Sequence, residues 1–584
     1  MVRPQVGGTG SGLRALFRRL RRPAVTVDPP PVGVERRADI PVTMPDGTVL
    51  RADVYLPRTG SRGADTHLKR SLRTGTPLPG RYPVVMCAHP YGKDRIPAHT
   101  RTGRGVSPQY HLIGQPDPIR FSAWTSFEAP DPAFWCRRGF ALVNADLRGF
   151  GHSEGMADPL TRAESEDYRN LIEWAAAQPW SNGRVGLLGV SYLALSQYRT
   201  AALRPRGLAA ICPWEGLSDP YRDVARPGGG REDGFMIMWS TMTGRRGRMA
   251  ISLRKGQLAH PLVDDYWRDR TPELEAIETP MLVCGSFSDQ LLHSRGSHEA
   301  FRRASSPDKW LYTHRAGKWS TFYSPAVSVV QHQFLEDFVA DVDTGWRNRP
   351  RVRLAIHRDR LEHEVVDVDA FPPEGTNDQA VRLSGGRIIG GRSTGNGQIV
   401  WDTSRDTVSI HWRVDTPMDL VGSPWLALSL ALDQGDDAVI FAGLRLLRSG
   451  TEVTFEGSYG FAGDMITHGQ LRLSHRELDP VLSTPEFPVH RHDREVPMPP
   501  GELGAVVVPL LPQATHLVTG DVLRLDLSGR WFFPTSPTDG QFPARYQDSP
   551  PALVRLDVGG GSLHLPVWHR GSVPAAGQRP RAAR

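Results

Sequence analysis

The sequence predicts an α/β domain built on a mostly parallel sheet and interrupted by a helical cap, followed by an all-β sandwich. Three observations carry this. From Pro83 to about Thr313, short continuous apolar runs such as "PVVMCAHP", "FALVNADLRG", "RVGLLGV", "GLAAICPW", "PMLVCGS" and "KWLYTH" alternate with helix-patterned stretches, as strands buried on both faces of a parallel sheet require. From about Trp214 to 270 the alternation gives way to helix-like, polar and Gly-rich sequence ("ARPGGGREDG"). Beyond about residue 346 the texture becomes strand after strand with Gly, Pro and Asp punctuation ("RVRLAIH", "VSIHWRV", "WLALSLAL", "VLRLDLSG"), the pattern of a sandwich.

In chain order, residues 1–36 carry Gly, Arg and the run "DPPPVG" and are expected to form a disordered basic leader. The α/β domain is expected over 37–345, with its cap over about 214–270. It opens with "ADIPVTMPDGTVLRADVYLPR", whose alternation around Asp46-Gly47 predicts a hairpin. The hydrophilic "TGSRGADTHLKRSLRTGTPLPG" predicts a surface loop. "AESEDYRNLIEWAAAQ" spaces Tyr168, Leu171, Ile172 and Ala175 at helical intervals, with acidic residues where the helix dipole favours them. The sandwich is expected over 346–570 and a disordered tail over 571–584.

A length of 584 residues exceeds what one core organises, so more than one domain is required. The net charge of +7 comes from 70 Lys and Arg spread among 63 Asp and Glu, with no basic stripe interleaved with aromatics, so nucleic acid is not an expected partner. The four cysteines, Cys87, Cys136, Cys212 and Cys284, are widely spaced in apolar surroundings without metal-ligand spacing, which predicts buried thiols and a cytoplasmic location. No apolar run approaches the ~20 residues of a membrane span. No metal or organic cofactor is implied. The sandwich could supply a homo-oligomer interface.

The chemistry is expected at Ser191. In "GLLGVSYLALSQ" an apolar strand runs into Gly189-Val190-Ser191 and then a helix, the arrangement of a nucleophile on a sharp strand-to-helix turn, where small neighbours let strand and helix approach. Leu193 stands where the last glycine of G-x-S-x-G would be, and the second small residue is Ala194.

Several stretches together resemble the cocaine-esterase and X-prolyl dipeptidyl-peptidase (CocE/NonD-type) family of α/β hydrolases: "AHPYGKD", "DLRGFGHSEG", "GVSYLA" (with Ala194 for the family's glycine), "CPWEGLSDPYRD", "DDYWRDR" and "GQLRLSHRELDP". The resemblance spans about Ala38 to Leu565 and implies an α/β-hydrolase fold with a C-terminal jelly-roll, galactose-binding-like sandwich of the X-prolyl dipeptidyl-peptidase type. It implies that the Tyr91 phenol and the Tyr192 backbone N–H hold the oxyanion. Such donors, aimed at developing negative charge, are worth ~3 to 4 kcal/mol of barrier each. Asp289 in "MLVCGSFSDQ" falls where the family has its acid, Gly285 being kept and Ser286-Phe287-Ser288 replacing tryptophan.

The base departs from the family's pattern. A rigid alignment places Lys318 at the usual histidine, and His314, at the end of "KWLYTH", is the expected base, with Lys318 the alternative if desolvation lowered its pKa. His293 and His298 are poorer choices, lying in the helix after the acid, and His89 and His152 are expected to support the oxyanion loop. Glu215, Asp219 and Asp223 are candidates for a pocket that recognises a substrate ammonium.

The expected activity is serine hydrolysis of a small carboxylic or acyl ester, or of an amide, through an acyl-enzyme. The alternatives are an X-prolyl dipeptidyl-peptidase or amino-acid ester hydrolase (acylase) acting on a short peptide or small-molecule ester, and a degenerate scaffold that binds without turnover.

Overall fold

The computed structural model describes residues 25–58, 80–97, 99–100, 103–104, 106–107, 110, 115–458, 461–534 and 543–570. The surface loop expected between residues 59 and 79, the first two-thirds of the expected leader and the expected tail lie outside these. The leader's last third is ordered: Val25–Asp28 (β1) and Val34–Thr43 (β2) are strands, so the expected boundary at residue 36 is corrected. β1 pairs in parallel with Ile119–Ser122, and β2 forms the hairpin with Val49–Pro57 (β3). The hairpin turns at Gly47, whose φ of 86° is open to glycine at little cost.

The central sheet continues through Tyr82–His89 (β4), Ala141–Asp146 (β5), Ser181–Val190 (β6), Leu208–Trp214 (β7), Met281–Ser286 (β8) and Lys309–His314 (β9). Its order is β2-β3-β5-β4-β6-β7-β8-β9, antiparallel up to β5 and parallel thereafter. Every residue of β5 and β8 is buried, which explains the unbroken apolar runs: both faces carry helices. This is the α/β-hydrolase fold.

The cap holds three α-helices, Phe235–Gly244, Leu253–Ala259 and Asp265–Arg270. The first starts over the buried Glu232 carboxylate, which accepts from the amides of Gly234, Phe235 and Met236, three of the N–H groups a helix start leaves without partners.

The sandwich has its own core, including Leu383, Trp401, Ile410, Leu444, Leu525 and Val554. One sheet runs Arg387–Ile389, Thr407–Arg413, Val522–Ser528 and Val439–Arg448. Its expected first strand behaves differently: Val352–His357 (β10) pairs in parallel with β9 and extends the hydrolase sheet before touching the sandwich at Thr515. The expected division at 345/346 therefore cuts through a continuous sheet.

Candidate active site

β6 ends at Val190, and Ser191 follows at φ 60°, ψ −116°, outside the regions an L-residue prefers, before the helix Tyr192–Ala201 begins. The turn is tight: a Cβ on Gly189 would stand 2.5 Å from the Leu193 Cβ. Ala194, the departure from glycine, is accommodated from the other side, because Gly216 faces it and a Cβ there would come within 2.9 Å of the Ala194 Cβ. The small-residue requirement has moved across to the partner segment.

Ser191 Oγ lies 3.2 Å from Nε2 of His293, and Nδ1 of the same ring lies 2.5 Å from Asp289 Oδ2. With Nε2 turned to a hydroxyl and Nδ1 to a carboxylate, the neutral ring carries its proton on Nδ1. Asp289 and His293 are held by a tight turn after β8, in which the Asp289 carbonyl accepts from the amides of Leu292, His293 and Ser294. Asp289 Oδ1 accepts from Ser458 Oγ at 3.0 Å, a hydroxyl supplied by the sandwich. Lys318 Nζ stands 2.6 Å from Asp289 Oδ2 and 3.2 Å from His293 Nδ1; since Nδ1 holds a proton, the ammonium donates to the carboxylate.

The electrostatics follow from burial and these contacts. Burial works to raise the Asp289 pKa, but Lys318 and His293 outweigh it and hold the carboxylate ionised. Burial, and then the Lys318 charge, depress His293 below its ordinary value. Burial works against the Lys318 charge, yet Asp289, Glu215 and Glu128 together raise its pKa. Glu128 is pushed up to about 7, mainly by burial.

The expected base, His314, is elsewhere. Its Nδ1 accepts from the Ala316 amide at 3.2 Å and its Nε2 lies 3.1 Å from Glu215 Oε1, so both ring nitrogens face groups other than Ser191. Lys318 is no base either, because carboxylates stabilise its charged form. Of the expected ammonium-binding carboxylates, Glu215 accepts from Ser286 Oγ and faces His314, Asp219 pairs with Arg222, and Asp223 pairs with Arg295; all three are buried and engaged within the fold. His89 is buried beneath the Tyr91 loop, and His152 pairs with Asp39 at the surface. His298 Nδ1 donates to the Ser294 carbonyl at 2.7 Å rather than facing the serine.

Tyr91 is buried, with the Ser191 hydroxyl and the Trp239 indole both bearing on its phenol; burial raises its pKa far beyond the working range, so it remains a donor. The Tyr192 amide opens its helix, where N–H groups have no internal partner. The Tyr192 side chain points away and donates to Glu164 at 2.7 Å. Sequence reasoning passed over His293, although "DQLLH" offered a signal: carboxylate and imidazole four residues apart fall one helical turn apart. Nothing local signalled Ser458.

The fold and the serine elbow define a capped α/β hydrolase with a C-terminal sandwich. The X-Pro dipeptidyl-peptidase (S15 family) profile matches residues 46–320, and the X-Pro dipeptidyl-peptidase C-terminal non-catalytic domain profile matches 344–541. A crystal structure of a CocE/NonD family hydrolase from Staphylococcus aureus is 30% identical, covers 91% of this chain and 93% of its own, and superposes with a TM-score of 0.81. The chain belongs to the CocE/NonD family of hydrolases. Among curated proteins, cocaine esterase from Rhodococcus sp. is 28% identical over 208 residues, 35% of this chain and 28% of that protein. Xaa-Pro dipeptidyl-peptidase from Lacticaseibacillus rhamnosus is 25% identical over 264 residues, 41% of this chain and 31% of that protein. The matched segments span less than a third of the length of these two relatives. Among the described residues, no helix is long and apolar enough to cross a membrane.

Proposed function

We propose that the protein is a serine hydrolase that cleaves an ester or amide by acyl transfer, with Ser191 as nucleophile, His293 as base and Asp289 as the acid that orients it. The observation that carries this reading is the hydrogen-bonded run from Ser191 Oγ to His293 Nε2 at 3.2 Å and from Nδ1 to Asp289 at 2.5 Å, on a strained elbow. Ser191 Oγ attacks the carbonyl carbon as its proton passes to His293 Nε2; the imidazolium is stabilised by Asp289 and returns the proton to the leaving oxygen or nitrogen. Water, deprotonated by His293, then releases the acyl group. Tyr91 Oη and the Tyr192 amide donate to the oxyanion in this reading.

A small ester is the favoured substrate, in keeping with the esterase relative; peptide cleavage at an X-Pro site is the second reading, in keeping with the peptidase relative. A fluorophosphonate should label Ser191 stoichiometrically. Labelling should disappear in Ser191→Ala and slow by at least about 10³-fold in His293→Ala, as expected for members of one catalytic unit. Persistence of full-rate labelling in His293→Ala, or its loss in a folded His314→Gln variant alone, would overturn the assignment of the base. A well-folded native protein that takes no label favours a binding scaffold.

A further inference from the structure

Beside the serine lies a cavity of about 300 Å³. Tyr91, whose phenol meets the Ser191 hydroxyl, lines it together with Tyr110, Phe121, Phe127, Val106 and Ile96. Its outer rim is cationic. Arg95 and Arg246 line the cavity, and the adjoining surface depression adds Arg245 beside the same two residues. Other arginines of the catalytic domain have carboxylate partners, as Arg148 has Asp167, Arg222 has Asp219 and Arg295 has Asp223. None of these three has an ion-pair partner among the described residues. The neighbouring Asp94 is taken by Arg36 and Lys93, and the sequence holds no Asp or Glu between Arg95 and Pro116. The buried Glu128 is not part of the cavity wall; it accepts from Trp319 Nε1.

We propose, resting on the serine-hydrolase reading above, that this cavity is a substrate subsite for an anionic group: the ester or amide cleaved at Ser191 carries an apolar or aromatic body ending in a carboxylate, which Arg246, with Arg95 and Arg245, binds at the rim. Guanidinium groups present planar forks that match a carboxylate, and clustered arginines without a counter-ion repel one another until an anion joins them. Burial and the neighbouring Arg95 charge both hold Arg246 below its ordinary value, as expected for a cation lacking its anion. The aromatic walls supply dispersion and apolar burial for the body between rim and serine. An ammonium-bearing aminoacyl group is disfavoured by the same rim.

The test compares matched substrates that differ in one charge. Para-nitrophenyl hydrogen adipate against its methyl ester places the charge on the acyl side; meta-carboxyphenyl acetate against meta-carbamoylphenyl acetate places it on the leaving side. In at least one pair the anion should have the higher kcat/KM by about ten-fold, a ratio typical of one charge-assisted contact. The ratio should shrink with added salt and fall toward one in Arg246→Gln and in the triple variant with Arg95→Gln and Arg245→Gln. A ratio near one in both pairs, or one that the variants leave unchanged, would overturn the subsite. Fluorophosphonate labelling of the native protein separates the two failures: a labelled enzyme without anion preference loses only the subsite. Binding of phenylbutyrate and phenylbutyramide to Ser191→Ala, read by calorimetry, needs no turnover. Tighter binding of the acid, abolished in the arginine variants, supports the subsite even if no substrate is turned over, and equal binding removes it.

Discussion

At the residue scale, the departure that matters most lies at the proposed base. Lysine stands where a rigid alignment expects histidine, and the imidazole comes instead from one turn beyond the acid. The ammonium of Lys318 and the imidazole of His293 then share one carboxylate oxygen. A base beside a fixed positive charge is harder to protonate, so His293 should stay neutral, and turnover should persist, below the ordinary imidazole value of 6.5. In Lys318→Met the charge is gone, the protonated imidazole is favoured, and the acid limb of kcat/KM should move to higher pH. A limb that stays in place, measured on a neutral ester, would show that Lys318 does not act on the base. Motif spacing could not reveal this exchange, because sequence distance from the acid says nothing about which ring nitrogen reaches a serine one hundred residues away; Ser191 itself was legible, because its strand, turn and helix are local.

At the element scale, the elbow shows how a missing glycine is absorbed. Ala194 fits because Gly216, in the segment after β7, lacks a Cβ. Gly216→Ala should therefore overpack the junction and cost about 1 to 3 kcal/mol, read as a fall in Tm, with a loss of kcat as Ser191 shifts. Adding Ala194→Gly should make the double variant lose less than the two single losses together, since the two sites share one contact. Simple additivity would mean that the two residues do not press on each other. The turn after β8 depends on a distant element in the same way. Ser458→Ala removes the hydroxyl that Asp289 Oδ1 and the Leu291 amide share, and should lower kcat about ten-fold or more by loosening the acid, while KM for a small ester changes little. The strands and helices were readable from apolar runs of period-free and helical spacing, whereas such cross-chain supports were not, because each partner looks ordinary in its own stretch.

At the scale of the whole molecule, acid stability is set by two opposed groups of buried residues. His89, His468 and His490 are pushed down to about 3, and His298 and His475 to about 4, each mainly by burial; His293, His357 and His492 are also depressed. An unfolded chain protonates these rings below 6.5 while the folded one does not, so stability falls as pH falls through that window. Glu128, Glu164 and Glu232, raised to about 7, and Asp146, raised to about 6, act in the opposite sense, because the folded state takes their protons first. Their compensation is exhausted near the ordinary carboxyl value of 4.5. Chemical denaturation should therefore show a shallow decline between about pH 6.5 and 4.5 and a steep one below about 4.5. A steep loss already at pH 6 would mean that the imidazoles are not held neutral.

The β10 strand bears on how this protein can be divided. It leaves the hydrolase sheet and joins the sandwich without a break. Nearby, the buried Arg315 donates to the Glu456, Met465 and Ile466 carbonyls across the junction, and Gln290, next to the acid, donates to the Ile466 carbonyl. The two family profiles meet between residues 320 and 344, and the folded object does not open there. A fragment ending at residue 345 would keep Ser191, His293 and Asp289, the proposed catalytic groups, in its sequence but would leave the edge of β9 uncovered and Asp289 without the Ser458 hydroxyl. Two regions that match separate family profiles form, in this chain, a single part.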